Sequence, residues 1–270
     1  MSLETLLNWP APDRPLPPHR AVDDSSVRGV FVVTDTLERS GSFVLHKLVG
    51  RHVRLPGWAV ALVCVAQQPE HYVAVHKKLG MHLSLHKQTF ASVDLFSRLG
   101  QLVQSDGATD PVQTLFSEIT APFAAAAPQD AAEPPRKPCI VIDDVSMLLF
   151  VGLSVSQTVL LVTALRSFVI ALGTQRDGCL AVLVHDDCPA DEEQASANAW
   201  IQQLATVLLH VRPLDSGFTE GVHGQLAVAL GPQALWADSA RHDAGIVPGE
   251  LLFRVNDASV DWVARGRSGL

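Results

Sequence analysis

Val30-Phe31-Val32-Val33-Thr34, followed by Asp35-Thr36-Leu37-Glu38-Arg39-Ser40-Gly41, decides how this chain is read. A β-branched run that ends in a polar loop predicts a strand. Ser42 to Val49 after it places Phe43, Leu45, Leu48 and Val49 on one side of a helix. The same alternation recurs downstream. Trp58 to Ala66 is an almost unbroken apolar run, which suits a strand covered on both faces of a parallel sheet. Pro69 to Leu79 has helical spacing with proline at the first turn, and Met81 to His86 is read as a short strand. Cys139-Ile140-Val141-Ile142-Asp143-Asp144 is a buried strand ending in carboxylates. Ser156 to Leu172 then reads as a helix, Leu180 to Val184 as a strand, Glu192 to Leu204 as a helix and Val207 to Val211 as a strand. Beyond these the runs Gln225 to Leu230, Leu251 to Val255 and Val260 to Ala264 are short and alternating, with Asn256-Asp257-Ala258-Ser259 as a hairpin turn. Strands alternating with helices need right-handed crossovers. The expected class is therefore α/β, a mainly parallel sheet flanked by helices, extended at one edge by antiparallel C-terminal strands.

With 270 residues, 47% apolar and only 18% charged, the chain has material for a sizeable core, which excludes a disordered protein. The formal net charge of −8 excludes a surface that grips phosphates by charge alone. Two regions break the pattern. Residues 1–27 read as an irregular proline-rich arm, with Pro10, Pro12, Pro15, Pro17 and Pro18. Residues 121–138 read as a flexible Ala/Pro-rich loop inside a single domain, 28–270, because the strand–helix alternation resumes after it. Val145 to Leu165 carries no charge over 21 residues, yet its serines, threonines and Gln157 place it in a soluble core, so no membrane is expected. Met1 to Pro10 lacks a secretory start. Cys64, Cys139 and Cys179 lie in or beside apolar runs, and with Cys188 they form no CxxC pair. They read as reduced thiols of an intracellular protein, with no zinc site.

In open α/β sheets ligands sit beyond the carboxyl ends of the strands. After the first strand a P-loop would need Gly-x4-Gly-Lys-Ser/Thr, whose backbone N–H groups and lysine hold phosphates while the hydroxyl holds Mg²⁺. With Gly41 as the second glycine, Thr36 stands for the first, Ser42 for the lysine and Phe43 for the hydroxyl. The loop is degenerate. Asp143 looks like a Walker B remnant or a structural acceptor. His185-Asp186-Asp187 with Asp191-Glu192-Glu193 offers metal-type ligands, but also reads as a solvated loop and the acidic first turn of a helix. His71, His76, His82 and His86 with Lys77, Lys78 and Lys87 read as a solvated basic surface, with an RNA or partner contact as the sharper reading. Arg212, just past a strand, is a candidate arginine finger at a subunit interface. No Gly-x-Ser-x-Gly elbow marks a serine hydrolase.

Further blocks follow in order: Ser40-Gly41-Ser42-Phe43-Val44-Leu45-His46, His71-Tyr72 with Lys78-Leu79-Gly80, Val141-Ile142-Asp143-Asp144-Val145-Ser146-Met147-Leu148-Leu149, Val182-Leu183-Val184-His185-Asp186, and Ser216-Gly217-Phe218 with Val222-His223-Gly224-Gln225-Leu226. From about residue 28 onward the chain resembles the animal Elongator complex protein 6 family. The resemblance implies a RecA-like, P-loop-ATPase-like sheet with a degenerate P-loop. It implies a non-catalytic subunit that forms a hexameric ring with Elongator subunits four and five, associated with the lobe that carries the catalytic subunit. Such a ring binds and releases tRNA and so supports wobble-uridine modification and translation, in the cytoplasm and also the nucleus. The resemblance implies no catalytic residue, metal or cofactor in this chain, since the radical and acetyl-coenzyme A chemistry belongs to the catalytic subunit. The alternative is an independent nucleotide-binding ATPase with an atypical phosphate loop.

Overall fold

The β-branched run around Val32 becomes the middle of the sheet. In the computed structural model, which describes residues 1–7, 9, 28–102, 110–125, 135–170, 178–187, 191–217, 219–235 and 246–263, the elements follow in chain order. They are α1 (Leu3–Leu6), β1 (Gly29–Asp35), α2 (Ser42–Arg54), β2 (Trp58–Cys64), α3 (Pro69–Lys78), β3 (Phe90–Asp94), α4 (Leu99–Leu102) and α5 (Pro111–Ala125). Then come β4 (Lys137–Ile142), α6 (Ser146–Phe150), α7 (Val155–Val169), β5 (Cys179–His185), α8 (Glu192–Gln203), β6 (Val207–Arg212), β7 (Gly224–Leu230), β8 (Gly249–Val255) and β9 (Val260–Val263). Among the described residues the strands form one sheet, β3-β2-β4-β5-β1-β6-β7-β8-β9. It is parallel from β3 to β6 and antiparallel from β6 to β9, as the alternation in the sequence requires. The turn at Asn256 is closed by its N–H donating to the Ser259 carbonyl at 2.8 Å.

Successive side chains of a strand point to opposite faces, so the sheet makes two cores. Phe31 and Val33 pack with Phe43, Leu45, Leu48 and Val49 of α2 on one side. Val30 and Val32 pack with Leu115 of α5 and Leu161 and Leu165 of α7 on the other. Burying each such side chain contributes about 1.5–3 kcal/mol.

Three expectations change, and a fourth segment gains detail. The first residues of the arm are not irregular: Leu3–Leu6 is a helical turn whose N-cap, Ser2, accepts from the Thr5 N–H. Four residues cannot sustain a helix alone. Packing holds this one, through the buried Leu3, Leu6, Leu7 and Trp9, an ion pair of Glu4 with Lys47 at 2.9 Å, and the Val247 N–H on the Leu6 carbonyl. The prolines at 10–18 lie outside the described residues. Met81 to His86 is not a strand. Gly80, at φ 75°, ends α3, Leu83–His86 makes a 3-10 turn, and the strand is β3 on the sheet's half-buried edge. The Ala/Pro-rich segment is helical at 121–125, where α5 continues through Pro122, and Lys137 and Pro138 already belong to β4. Its centre, 126–134, lies outside the described residues. The uncharged stretch from Val145 is two helices, α6 and α7, separated by Gly152 at φ 104°. Among the described residues no helix is long and apolar enough to cross a membrane.

Candidate functional site

The carboxyl ends of β1, β4 and β5 meet where a nucleotide-binding sheet would hold phosphate. Asp35 ends β1 and is aligned with His185 at the end of β5. The His185 ring bridges two buried carboxylates: Nδ1 lies 2.5 Å from Asp35 Oδ1 and Nε2 lies 3.1 Å from Asp144 Oδ2. Both aspartates are almost sealed, at 1% and 3% exposure. Hydrogen bonds to Asp144 and Asp35 raise the His185 pKa from 6.5 to about 10, so the ring is an imidazolium at neutral pH. The surroundings fix it. The His185 N–H donates to Ser146 Oγ at 3.0 Å, the Ser146 N–H donates to Asp144 Oδ1 at 2.8 Å, and the Gln194 carboxamide donates to the His185 carbonyl at 2.9 Å.

This bridge has a testable pH signature. Because the folded pKa is raised, its stabilisation is complete below the unfolded value of 6.5 and is lost as pH rises through about 10. Urea midpoints should fall across that window in the parent chain and change less in His185→Gln. Equal profiles would refute a charged bridge.

The same carboxylate closes the loop that a P-loop would leave open. Asp35 Oδ2 accepts from the Gly41 N–H at 2.6 Å, and Ser40 Oγ accepts from the Ser42 N–H at 3.2 Å. Thr36 and Arg39 exchange backbone hydrogen bonds, and Thr36 Oγ1 accepts from the Arg39 N–H as well. A Cβ on Gly41 would come within 2.9 Å of Val33 and 3.2 Å of the Asp35 side chain, so the loop lies tight on the strand. Phe43, at the position of the Mg²⁺-binding hydroxyl, faces the core with its ring centroid 4.7 Å from that of Phe253. Lys47 is held by Glu4 at α1.

Asp143 points elsewhere. Its carboxylate accepts from the N–H groups of Val65, Ala66 and Gln67 and from the Tyr72 hydroxyl at 2.6 Å. It clamps the turn between β2 and α3. Burial raises its pKa to about 6, against the lowering effect of the Tyr72 and backbone hydrogen bonds, and burial beside Asp143 also raises that of Tyr72. The acidic residues after β5 separate into structural tasks. Asp187 accepts from the Leu37 N–H at 2.6 Å, Asp191 caps α8, and Glu192 and Glu193 fill its first turn. Cys188, Pro189 and Ala190 lie outside the described residues, as does Phe218. Arg212 is exposed at the end of β6, beside a cleft of ≈ 350 Å³ shared with Thr34, Asp35, Asp186 and Asp215. The basic stretch is only partly a surface. Lys77, Lys78 and Lys87 are exposed, but His76 is fully buried, with Nδ1 2.9 Å from the Tyr72 carbonyl and its ring against His46. Burial lowers the His46 pKa to about 3, so that ring is neutral.

Two constellations escape a linear reading. Asp35 and His185 are 150 positions apart, and only the joint alignment of two strand ends could have signalled them. His52, Cys139 and Cys179 also converge from three elements.

Residues 20–244 match the family described as Elongation complex protein 6. Elongator complex protein 6 of Xenopus tropicalis is 28% identical over 267 residues, covering 91% of this chain and 94% of that protein. The Homo sapiens protein of that name is 24% identical over 272 residues, with 91% and 94% covered. The Drosophila melanogaster protein is 23% identical over 252 residues, with 92% and 95% covered. Among solved structures the chain is similar to a KaiC-like protein, PH0186, of Pyrococcus horikoshii OT3, with a TM-score of 0.53 and 10% identity over 87% of this chain and 90% of that one. That likeness establishes the RecA-like fold.

Proposed function

The chain belongs to the Elongation complex protein 6 family, and from that premise we propose that it is a non-catalytic subunit of the Elongator complex, completing a hexameric RecA-like ring with subunits four and five. The observation that carries the non-catalytic part is the Asp35 carboxylate on the Gly41 N–H. A phosphate needs such donors turned towards it. Here a buried anion already holds one, and a second buried carboxylate, Asp144, lies across the imidazolium. The site is complete within the chain, which argues against the independent ATPase.

The ring reading rests also on exposed apolar residues. Leu37 is 78% exposed on the turn after β1, and Phe150 and Trp200 are 74% and 61% exposed on α6 and α8. Heterologous contacts that close by rotation build such rings. Arg212 is proposed to reach a neighbouring subunit from the end of β6. The ring is proposed to bind and release tRNA in support of wobble-uridine modification, in the cytoplasm and the nucleus. With a net charge of −8, the chain leaves most of the basic tRNA-facing surface to its partners.

Co-expression of the chain with subunits four and five should give a complex of hexameric mass by native mass spectrometry, while the chain alone associates poorly and turns over no ATP. A soluble monomer that ignores both partners would sink the ring, and ATP turnover by the purified chain would sink the non-catalytic assignment. Arg212→Ala should lower ATP turnover by the assembled ring; unchanged turnover would remove the proposed reach.

A further inference from the structure

Under α2, away from the carboxyl ends of the strands, lies a cluster with no part in the Asp35–His185–Asp144 site. Cys139 of β4 and Cys179 of β5 are register partners in adjacent parallel strands, so their side chains stand on one face of the sheet. That face belongs to the core covered by α2, and His52 in the last turn of α2 meets the two cysteines there. All three residues are completely buried. One ligand atom from each lies within 4.8 Å of the other two.

The histidine is prepared for one protonation pattern. Its Nδ1 lies 2.8 Å from the Leu48 carbonyl. A carbonyl only accepts, so Nδ1 carries the proton and Nε2 carries the lone pair. Metal-bound histidines characteristically give their other N–H to such an acceptor. The Trp58 ring stands edge-on to His52, with centroids 4.7 Å apart, and restricts its rotation. Two sulfurs and one imidazole form a soft donor set, of the kind that selects Zn(II) or Cu(I) over the hard cations.

We propose that His52, Cys139 and Cys179 form a buried site for one soft d10 cation, Zn(II) or Cu(I), which ties α2 to β4 and β5. The sulfurs bind as thiolates, their protons pass to solvent, and no electron is transferred. Two thiolates offset the charge of Zn(II), as an apolar surrounding demands. Three donors match trigonal Cu(I) as they stand, whereas Zn(II) takes a fourth. Because the residues are sealed, the ion enters while the chain folds.

The test is therefore metal loading during folding. The full-length chain is expressed in medium supplemented with Zn(II) or Cu(II) salts, the latter reduced to Cu(I) in the cell. It is purified with a phosphine reductant and no chelator, alone and with its co-expressed partners. The expected result is one equivalent of one of the two metals per chain by mass-spectrometric metal analysis, and the identity of that metal separates the trigonal from the four-coordinate form. Cys139→Ala and Cys179→Ala should each reduce the metal to background. Unfolding the unaltered chain and refolding it with that metal should give a higher thermal midpoint than refolding with chelator, a comparison that needs no mutation. Substoichiometric metal in the unaltered chain, or equal metal in the double alanine variant, would overturn the site.

Discussion

His185→Ala is expected to destabilise the chain by about 3–5 kcal/mol, the cost of removing one partner from a buried ion pair. The substitution deletes little apolar surface. Its cost comes from leaving Asp35 and Asp144, nearly sealed on either side of the ring, without the cation between them. Urea denaturation at neutral pH reads the effect. The cause is separable by a mutant cycle: Asp35→Asn with Asp144→Asn should be harmful in the parent chain but should relieve part of the His185→Ala defect, a coupling of about 0.5–3 kcal/mol. Additive losses, or a His185→Ala cost within about 0.5 kcal/mol, would show that the bridge is not what holds the three strand ends together. Phosphate chemistry makes a different prediction, since under it His185→Ala would change nucleotide turnover and leave stability nearly untouched.

Asp143→Ala should be comparably severe. The carboxylate is the shared acceptor of three backbone N–H groups and one phenol. Alanine leaves all of them without it, and each unsatisfied buried donor costs about 1–3 kcal/mol. The expected loss is at least ~3 kcal/mol, with Asp143→Asn in between because one carbonyl oxygen remains. The turn between β2 and α3 should show it first, as loss of hydrogen-exchange protection at Val65, Ala66 and Gln67 in Asp143→Asn. Normal protection there would reject the clamp. For this reason loss of activity in Asp143→Ala cannot identify a Walker B residue: the substitution dismantles the turn whether or not a nucleotide is involved.

The strands and helices that face two apolar layers were legible in the sequence because burial writes itself as uninterrupted apolar runs. Val30–Val33, Trp58–Cys64 and Leu180–Val184 are such runs, and all three are strands. The half-exposed β3 was not, since Phe90-Ala91-Ser92-Val93-Asp94 sits on an edge and carries no continuous pattern. Nor was α1, a single turn whose helicity depends on contacts with Lys47 and Val247. At the candidate site the sequence exposed what was missing, the lysine and the hydroxyl of a P-loop. It did not expose what replaced them. The Asp35–His185–Asp144 bridge depends on strand order, because β5 lies between β1 and β4, and order is not encoded locally. Asp143 and Asp144 look equivalent in sequence. Both lie just past the end of β4, in the bend before α6, where one carboxylate turns to the β2–α3 turn and the other to the imidazolium.

The central place of β1 also bears on how the protein is made. Its two neighbours, β5 and β6, are encoded roughly 150 and 180 residues later. On the ribosome, at about 5–20 residues per second, Val30 to Val33 would wait on the order of ten seconds for edges to pair with. Contacts this distant also slow the closing of the sheet. During that interval an apolar strand with two open edges is a target for chaperones and for misplaced pairing. The yield of this subunit in cells should therefore depend on the rate of translation through Arg212 as well as on the supply of its partners.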